Sequence, residues 1–175
     1  PFFEHAAERV KAEPVEVWLD DEKIVVRAGR AEASVDLWQF EEDERAYLFA
    51  GDWEQTLVLY KSLKAEGVPV EITTRGIKLY FEDMWVLLAR AVEKAIESGV
   101  IGGLPAELAP YIKMLNAYNV GGVKMYIFEV SKEYEHYYLF LVKTEDKWKI
   151  VYGIYRNEEV VVEGEEARTV ADVVN

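Results

Sequence analysis

Only two imidazoles, His5 and His136, stand in this sequence of 175 residues, far apart along the chain and with no cysteine to complement them. A zinc site draws on clustered His, Asp, Glu or Cys, so a His-rich zinc site is not expected. Glu133, Glu135 and His136 fall together near a hairpin tip, where two carboxylates and one imidazole could gather around an ion. Solvated charge at a turn is the simpler reading. Asp20, Asp21 and Glu22 are three adjacent carboxylates, but they lack the spacing and the glycine of a calcium loop and also read as a solvated turn. With 33 acidic residues, some close carboxylate pair exists by abundance alone, so proximity carries no hydrolase signal.

Nucleophilic and nucleotide chemistry find no footing either. Ser34, Ser62, Ser98 and Ser131 lie in neither Gly-x-Ser-x-Gly nor Ser-x-x-Lys. Gly99-Val100-Ile101-Gly102-Gly103 lacks the Lys-Ser/Thr of a phosphate-binding loop and follows no strand. The absence of cysteine closes disulfide, thiolate-metal and Cys-nucleophile chemistry. No catalytic, cofactor-binding or metal-ligating residue is therefore assigned, no cofactor is expected, and the sequence leans away from an enzyme.

The aromatic residues say more. Tyr126, Phe128, Tyr134, Tyr137, Tyr138, Phe140, Trp148, Tyr152 and Tyr155 crowd one stretch of strand-like sequence, and a period of two sends alternate members to opposite faces. Tyr126, Phe128, Tyr138, Phe140, Trp148 and Tyr152 form the candidate binding face. Such a face could stack bases or a planar ligand, or pack against the helix expected at 82–98. Arg75, Lys78, Lys143, Lys147, Lys149 and Arg156 are the cations that nucleic-acid recognition would use. The net charge of −13 disfavours that partner, because non-specific binding depends on neutralising phosphates. A protein partner or self-association is the leading expectation.

The elements that must position these residues are legible from periodicity and punctuation. A short helix near Phe2 to Lys11 stops before Pro14. Val15–Leu19 and Lys23–Arg27 read as a hairpin around the acidic turn, and Ala33–Leu37 and Ala46–Ala50 add two strands to a meander closed by Gly51. A helix capped by Asp52 carries Trp53, Leu57, Leu59, Tyr60 and Leu63 and ends near Gly67. A hairpin over 68–81 turns at Thr74-Arg75-Gly76, and a long helix over 82–98 directs Trp85, Leu88, Ala89, Val92 and Ala95-Ile96 to one side. After a short helical turn at 106–109, an antiparallel meander of about four or five strands runs from Tyr111 to Glu163 and a helix over 165–173 closes the chain. The expected class is α+β, with two antiparallel meanders each followed by a helix and a central hairpin and long helix between them. The expected halves are 1–104 and 105–175, or one compact unit. The segments 49–57 and 162–170 share a strand, a glycine, an acidic cap and a threonine. This echo is either a duplicated unit or a common way of leaving a strand for a helix.

Many Glu and Lys, six amides in all (Gln39, Gln55, Asn116, Asn119, Asn157, Asn175) and no cysteine match the composition of hyperthermophile proteins. No basic-then-apolar leader and no apolar run of membrane-spanning length stand out, so a cytoplasmic protein without membrane attachment is expected. The chain starts at Pro1 without Met and ends at Asn175 inside a helical pattern, which suggests a segment of something longer.

Phrasing across the last hundred or so residues resembles a family. Gly76-Ile77-Lys78-Leu79 through Met84-Trp85, Leu87–Ile96, Leu104–Pro110, Met125–Phe128, Val142–Ile150 and Gly164–Asn175 resemble the Pyrobaculum repeat family, paralogous proteins of hyperthermophilic crenarchaea. The resemblance implies an archaeal origin in a multi-copy family, of mobile-element descent on one reading, and implies no reaction and no site residues. A weaker similarity links helix 52–66, hairpin 68–81 and helix 82–99 to the second half of a LAGLIDADG homing endonuclease. The metal-binding helix of those enzymes is missing here, so this likeness implies a degenerate DNA-binding relative. The meander with Lys147-Trp148-Lys149-Ile150 also resembles cone-shaped NTF-like folds, which implies a small-ligand pocket.

Overall fold

The computed structural model describes residues 2–40, 44–120, 123–143, 148–156 and 159–162, with side chains described over 5–40, 44–118 and 123–143. The class is α+β, with three antiparallel sheets. Two compact units make up the chain, Pro1–Ala91 and Val92–Asn175.

The N-terminal unit opens with helix α1 (Phe2–Ala7) and a three-stranded meander of β1 (Val15–Asp20), β2 (Lys23–Ala28) and β3 (Ala31–Asp36). Alternation dictates its faces. Val17, Ile24, Val26, Ala28, Ala31, Ala33 and Val35 are buried, while Glu16, Lys23, Arg27, Glu32 and Ser34 lie on the outer side. The turn between β1 and β2 uses Asp21 at φ +54°, a left-handed conformation that Asp tolerates better than most residues.

Strand β4 (Arg45–Leu48) does not extend this meander, as its place in the chain led us to expect. It pairs instead with β6 (Gly76–Tyr80), which also pairs β5 (Glu71–Thr73), giving a second three-stranded sheet in the order β4-β6-β5. The register explains the choice. Ala46 lies opposite Leu79 and Leu48 opposite Ile77, so four buried apolar side chains share one face, while Arg45, Tyr47, Lys78 and Tyr80 share the other. Gly76 makes the pairing possible. Its φ is +124°, and a Cβ there would stand 2.5 Å from the backbone oxygen of Leu48.

Helix α2 (Trp53–Ala65) packs on β2, β3, β6 and α1, so it meets both sheets of this unit. Its buried apolar side chains are Leu57, Leu59, Tyr60 and Leu63, whereas Trp53, expected on the same side, is 37% exposed. Polar anchoring at its start is specific. The Asp52 side chain accepts the Gln55 backbone N–H at 2.8 Å, and the buried Thr56 hydroxyl donates to the Asp52 carbonyl at 2.7 Å while accepting the Ala50 N–H at 2.9 Å. Ser62, equally buried, donates to the Val58 carbonyl at 2.7 Å and accepts the Glu13 N–H at 2.9 Å, tying the chain ahead of β1 to the helix.

A 3₁₀ turn over Phe81–Asp83 leads into α3 (Trp85–Glu97), and the boundary between the units falls within this helix. Leu87, Leu88, Ala91, Val92, Ala95 and Ile96 are buried; Trp85, expected among them, is exposed at the first turn. In the C-terminal unit a 3₁₀ segment over Ala106–Tyr111 packs on β8 (Val123–Lys132). With β7 (Ile112–Val120), β9 (Glu135–Lys143), β10 (Trp148–Arg156) and β11 (Glu159–Val162) it makes a five-stranded meander in the order β11-β10-β9-β8-β7. A bulge at Leu115 shifts the register of β7. The helix expected over 165–173, and with it most of the second copy of the echo, lies outside the described residues.

The Thr56 hydroxyl satisfies a backbone N–H and a backbone carbonyl at once, so Thr56→Val leaves the Ala50 N–H unpaired at equal side-chain volume. It is expected to cost about 1–3 kcal/mol, more than the roughly 1 kcal/mol expected for Asp52→Ala. Urea unfolding of the two variants checks this, and a smaller loss for Thr56→Val would contradict the assignment.

Candidate binding surfaces

The aromatic residues proposed as one binding face are divided by the sheet that carries them. Tyr126 and Phe128 lie opposite Leu141 and Leu139, and both are fully buried. Phe140 lies opposite Ile127 and Tyr138 opposite Glu129, on the other face. There Phe140 packs with Tyr118 and Val142 against buried Met125 and Ile127. Trp148 and Tyr152 have backbone places in β10 opposite Lys143 and Leu139, and their side chains lie outside the described residues. Tyr126 and Phe128 therefore belong to the core, and no single described face presents the set. The reason is the apolar character of β8: Met125, Tyr126, Ile127 and Phe128 are four consecutive buried residues, which needs cover on both faces.

Exposure is found elsewhere. In the C-terminal unit Tyr134, in the turn between β8 and β9, is 89% exposed, and Glu133 beside it takes a left-handed φ of +56°. His136 Nδ1 stands 3.5 Å from Glu129 Oε1, so this imidazole faces a carboxylate on the neighbouring strand. Among the described residues no group of three or more His, Asp or Glu side chains is placed to hold a metal ion.

The N-terminal unit holds two surfaces with a chemical character. At the turn from β4 into α2, Phe49 and Trp53 meet edge to face, ring centroids 5.3 Å apart at 84°, with Phe49 44% exposed. On the outer side of β4-β6-β5, cations and tyrosines interleave. The Arg75 guanidinium lies 4.1 Å from the Tyr47 ring centre and Lys78 Nζ lies 5.3 Å from that of Tyr80. Lys78 also pairs with Glu71 at 2.8 Å. The Glu71 hydrogen bond first, then that of Tyr80, raises the Lys78 pKa above its ordinary value.

Next to this face, edge strands β3 and β4 of the two sheets lie side by side and leave an open groove of about 400 Å³. Lys23, Ser34, Asp36, Gln39, Arg45, Tyr47 and Arg75 supply its polar lining. Asp36 Oδ1 is turned to its own backbone, accepting the N–H groups of Trp38 at 2.7 Å and Gln39 at 3.2 Å. Of the cations named for nucleic-acid recognition, Arg75 and Lys78 belong to this unit and Lys143 ends β9 of the other. The side chains of Lys147, Lys149 and Arg156 lie outside the described residues. Lys23 and Arg45 come to line one groove only because two sheets meet there, which no local pattern announces.

Because its folded pKa is raised, Lys78 contributes stability that is complete below the ordinary lysine value of 10.5 and is lost as pH climbs through the folded value. Glu71→Gln is expected to lower the Lys78 pKa in an NMR titration of the lysine side chains. The stability difference from the parent chain is expected to stay constant at neutral pH and shrink above pH 10.5. A Lys78 pKa unchanged in Glu71→Gln would contradict the assigned cause.

Comparison with models of protein families, with curated proteins and with solved structures returns no match.

Proposed function

We propose that this chain is a non-enzymatic interaction domain of an archaeal, hyperthermophilic, multi-copy family, acting through protein contacts in the cytoplasm. The observation that carries the reading is the Phe49–Trp53 pair, two large aromatic side chains held in a fixed edge-to-face geometry at the surface. Rigid aromatic anchors lose little side-chain entropy on burial and dominate the energetics of protein interfaces. Asp52 and Thr56 fix the turn between them, so the pair is preorganised for contact. No helix of the described chain is long and apolar enough to cross a membrane.

Size-exclusion chromatography with light scattering over a concentration series, and a pull-down from cell lysate, test the proposal. The parent chain is expected to self-associate or to retain a specific protein. The double variant Phe49→Ala/Trp53→Ala is expected to weaken that association by about 2 kcal/mol, roughly thirtyfold, with an unchanged circular dichroism spectrum. A parent chain that stays monomeric and captures nothing contradicts the reading.

A further inference from the structure

We infer that the exposed Phe49–Trp53 pair takes an Arg or Lys side chain from a basic segment of a protein partner. The inference rests on the protein-contact reading of that pair and names the chemistry of the partner.

The treatment of other outward-facing rings in this unit carries the argument. Trp18 has Arg27 over its ring at 5.2 Å, Tyr47 has Arg75 at 4.1 Å and Tyr80 has Lys78 at 5.3 Å. A cation is drawn to the negative face of an aromatic ring, and at these three rings the chain supplies the cation itself. Phe49 is 44% exposed, and no cation of the described residues lies over it. Ring planes at 84° make a corner between Phe49 and Trp53, so a cation entering it meets a ring face on one wall. Gly51, between the two in sequence, is exposed, and apart from its chain neighbours nothing lies within 4 Å of a Cβ placed there. The approach to the turn is open.

Charge then selects the occupant. Asp52 and Glu54 stand on either side of Trp53 in sequence, and both are exposed. One Asp52 oxygen accepts the Gln55 N–H, and among the described residues neither carboxylate has an ion-pair partner. Two carboxylates outweigh the partial positive charge of roughly half a unit at the start of α2. Screening confines attraction between exposed charges to roughly 8 Å at physiological ionic strength, so these neighbouring carboxylates dominate the field at the corner. The net charge of −13 opposes the approach of a second copy of the chain and favours a basic partner.

NMR titration of the whole chain with a short capped peptide of glycine and serine carrying two arginines tests this, with its citrulline counterpart as the neutral isostere. The arginine peptide is expected to shift the Phe49 ring and Trp53 indole signals saturably, with a Kd in the millimolar range or tighter. The citrulline peptide is expected to bind at least threefold more weakly. Phe49→Leu keeps an apolar side chain and removes the ring face, while Glu54→Gln removes a charge at an exposed position. Each is expected to weaken arginine binding at least twofold, about the worth of one exposed cation–π contact or ion pair, and thermal melting checks that both variants are folded. The inference is overturned if the two peptides bind alike, if neither shifts these signals, or if either variant matches the parent. The protein-contact reading is decided separately by the Phe49→Ala/Trp53→Ala comparison, so the two failures are distinguishable.

Discussion

The buried hydroxyl of Thr56 closes the turn from β4 into α2 by accepting one backbone N–H and donating to one backbone carbonyl. Much of the N-terminal unit depends on that closure. Helix α2 touches both three-stranded sheets, so its angle of entry bears on where β4 runs relative to β3. It also fixes the separation of Phe49 from Trp53, which flank the turn. A buried hydroxyl is costly unless both its donor and its acceptor roles are filled, and here they are. Ser62 repeats the device six residues later in the same helix, binding to it the chain ahead of β1. Two small polar side chains thus set the geometry of surfaces formed by much larger ones.

The C-terminal unit divides its aromatic residues differently. Strand β8 buries Met125, Tyr126, Ile127 and Phe128 in succession, and successive side chains point to opposite faces. Each face then recruits apolar neighbours from β9: Leu139 and Leu141 on one, Phe140 and Val142 on the other. Among the described aromatic residues of this sheet, Tyr126, Phe128 and Tyr137 supply core volume. Among the described residues the exposed aromatic side chains are Phe49, Trp53, Tyr80, Trp85, Tyr111 and Tyr134, which lie at turns or at the ends of elements.

How much of this was legible follows from the range of the signals. Helix α2 with its Asp52 cap, the hairpin of β1 and β2, and the run of strands after Pro110 all rest on contacts between residues near in sequence, and they read correctly. Strand β4 departs from the neighbour that its place in the chain suggests, because strands adjacent in sequence pair or neighbour only about two-thirds of the time. Its partner is chosen by Ala46 and Leu48 matching Leu79 and Ile77 across 32 and 28 intervening positions, a long-range match. Helical spacing puts Trp53 and Trp85 with the apolar stripes of α2 and α3, yet both sit exposed in the first turn, where a helix projects beyond its packing surface. Arg45 and Lys23 carry no motif. They come to line one groove only where β3 and β4 meet.

Accessible aromatic side chains lie at turns and at the ends of elements, Phe49, Trp53 and Tyr134 among them, while Tyr126 and Phe128 serve the core. Attenuation of aromatic proton signals by a soluble gadolinium chelate measures that distinction residue by residue. Phe49, Trp53, Tyr80 and Tyr134 are predicted to be strongly attenuated, with Tyr126, Phe128 and Tyr137 protected. Attenuation of Tyr126 and Phe128 comparable to that of Trp53 would contradict the account.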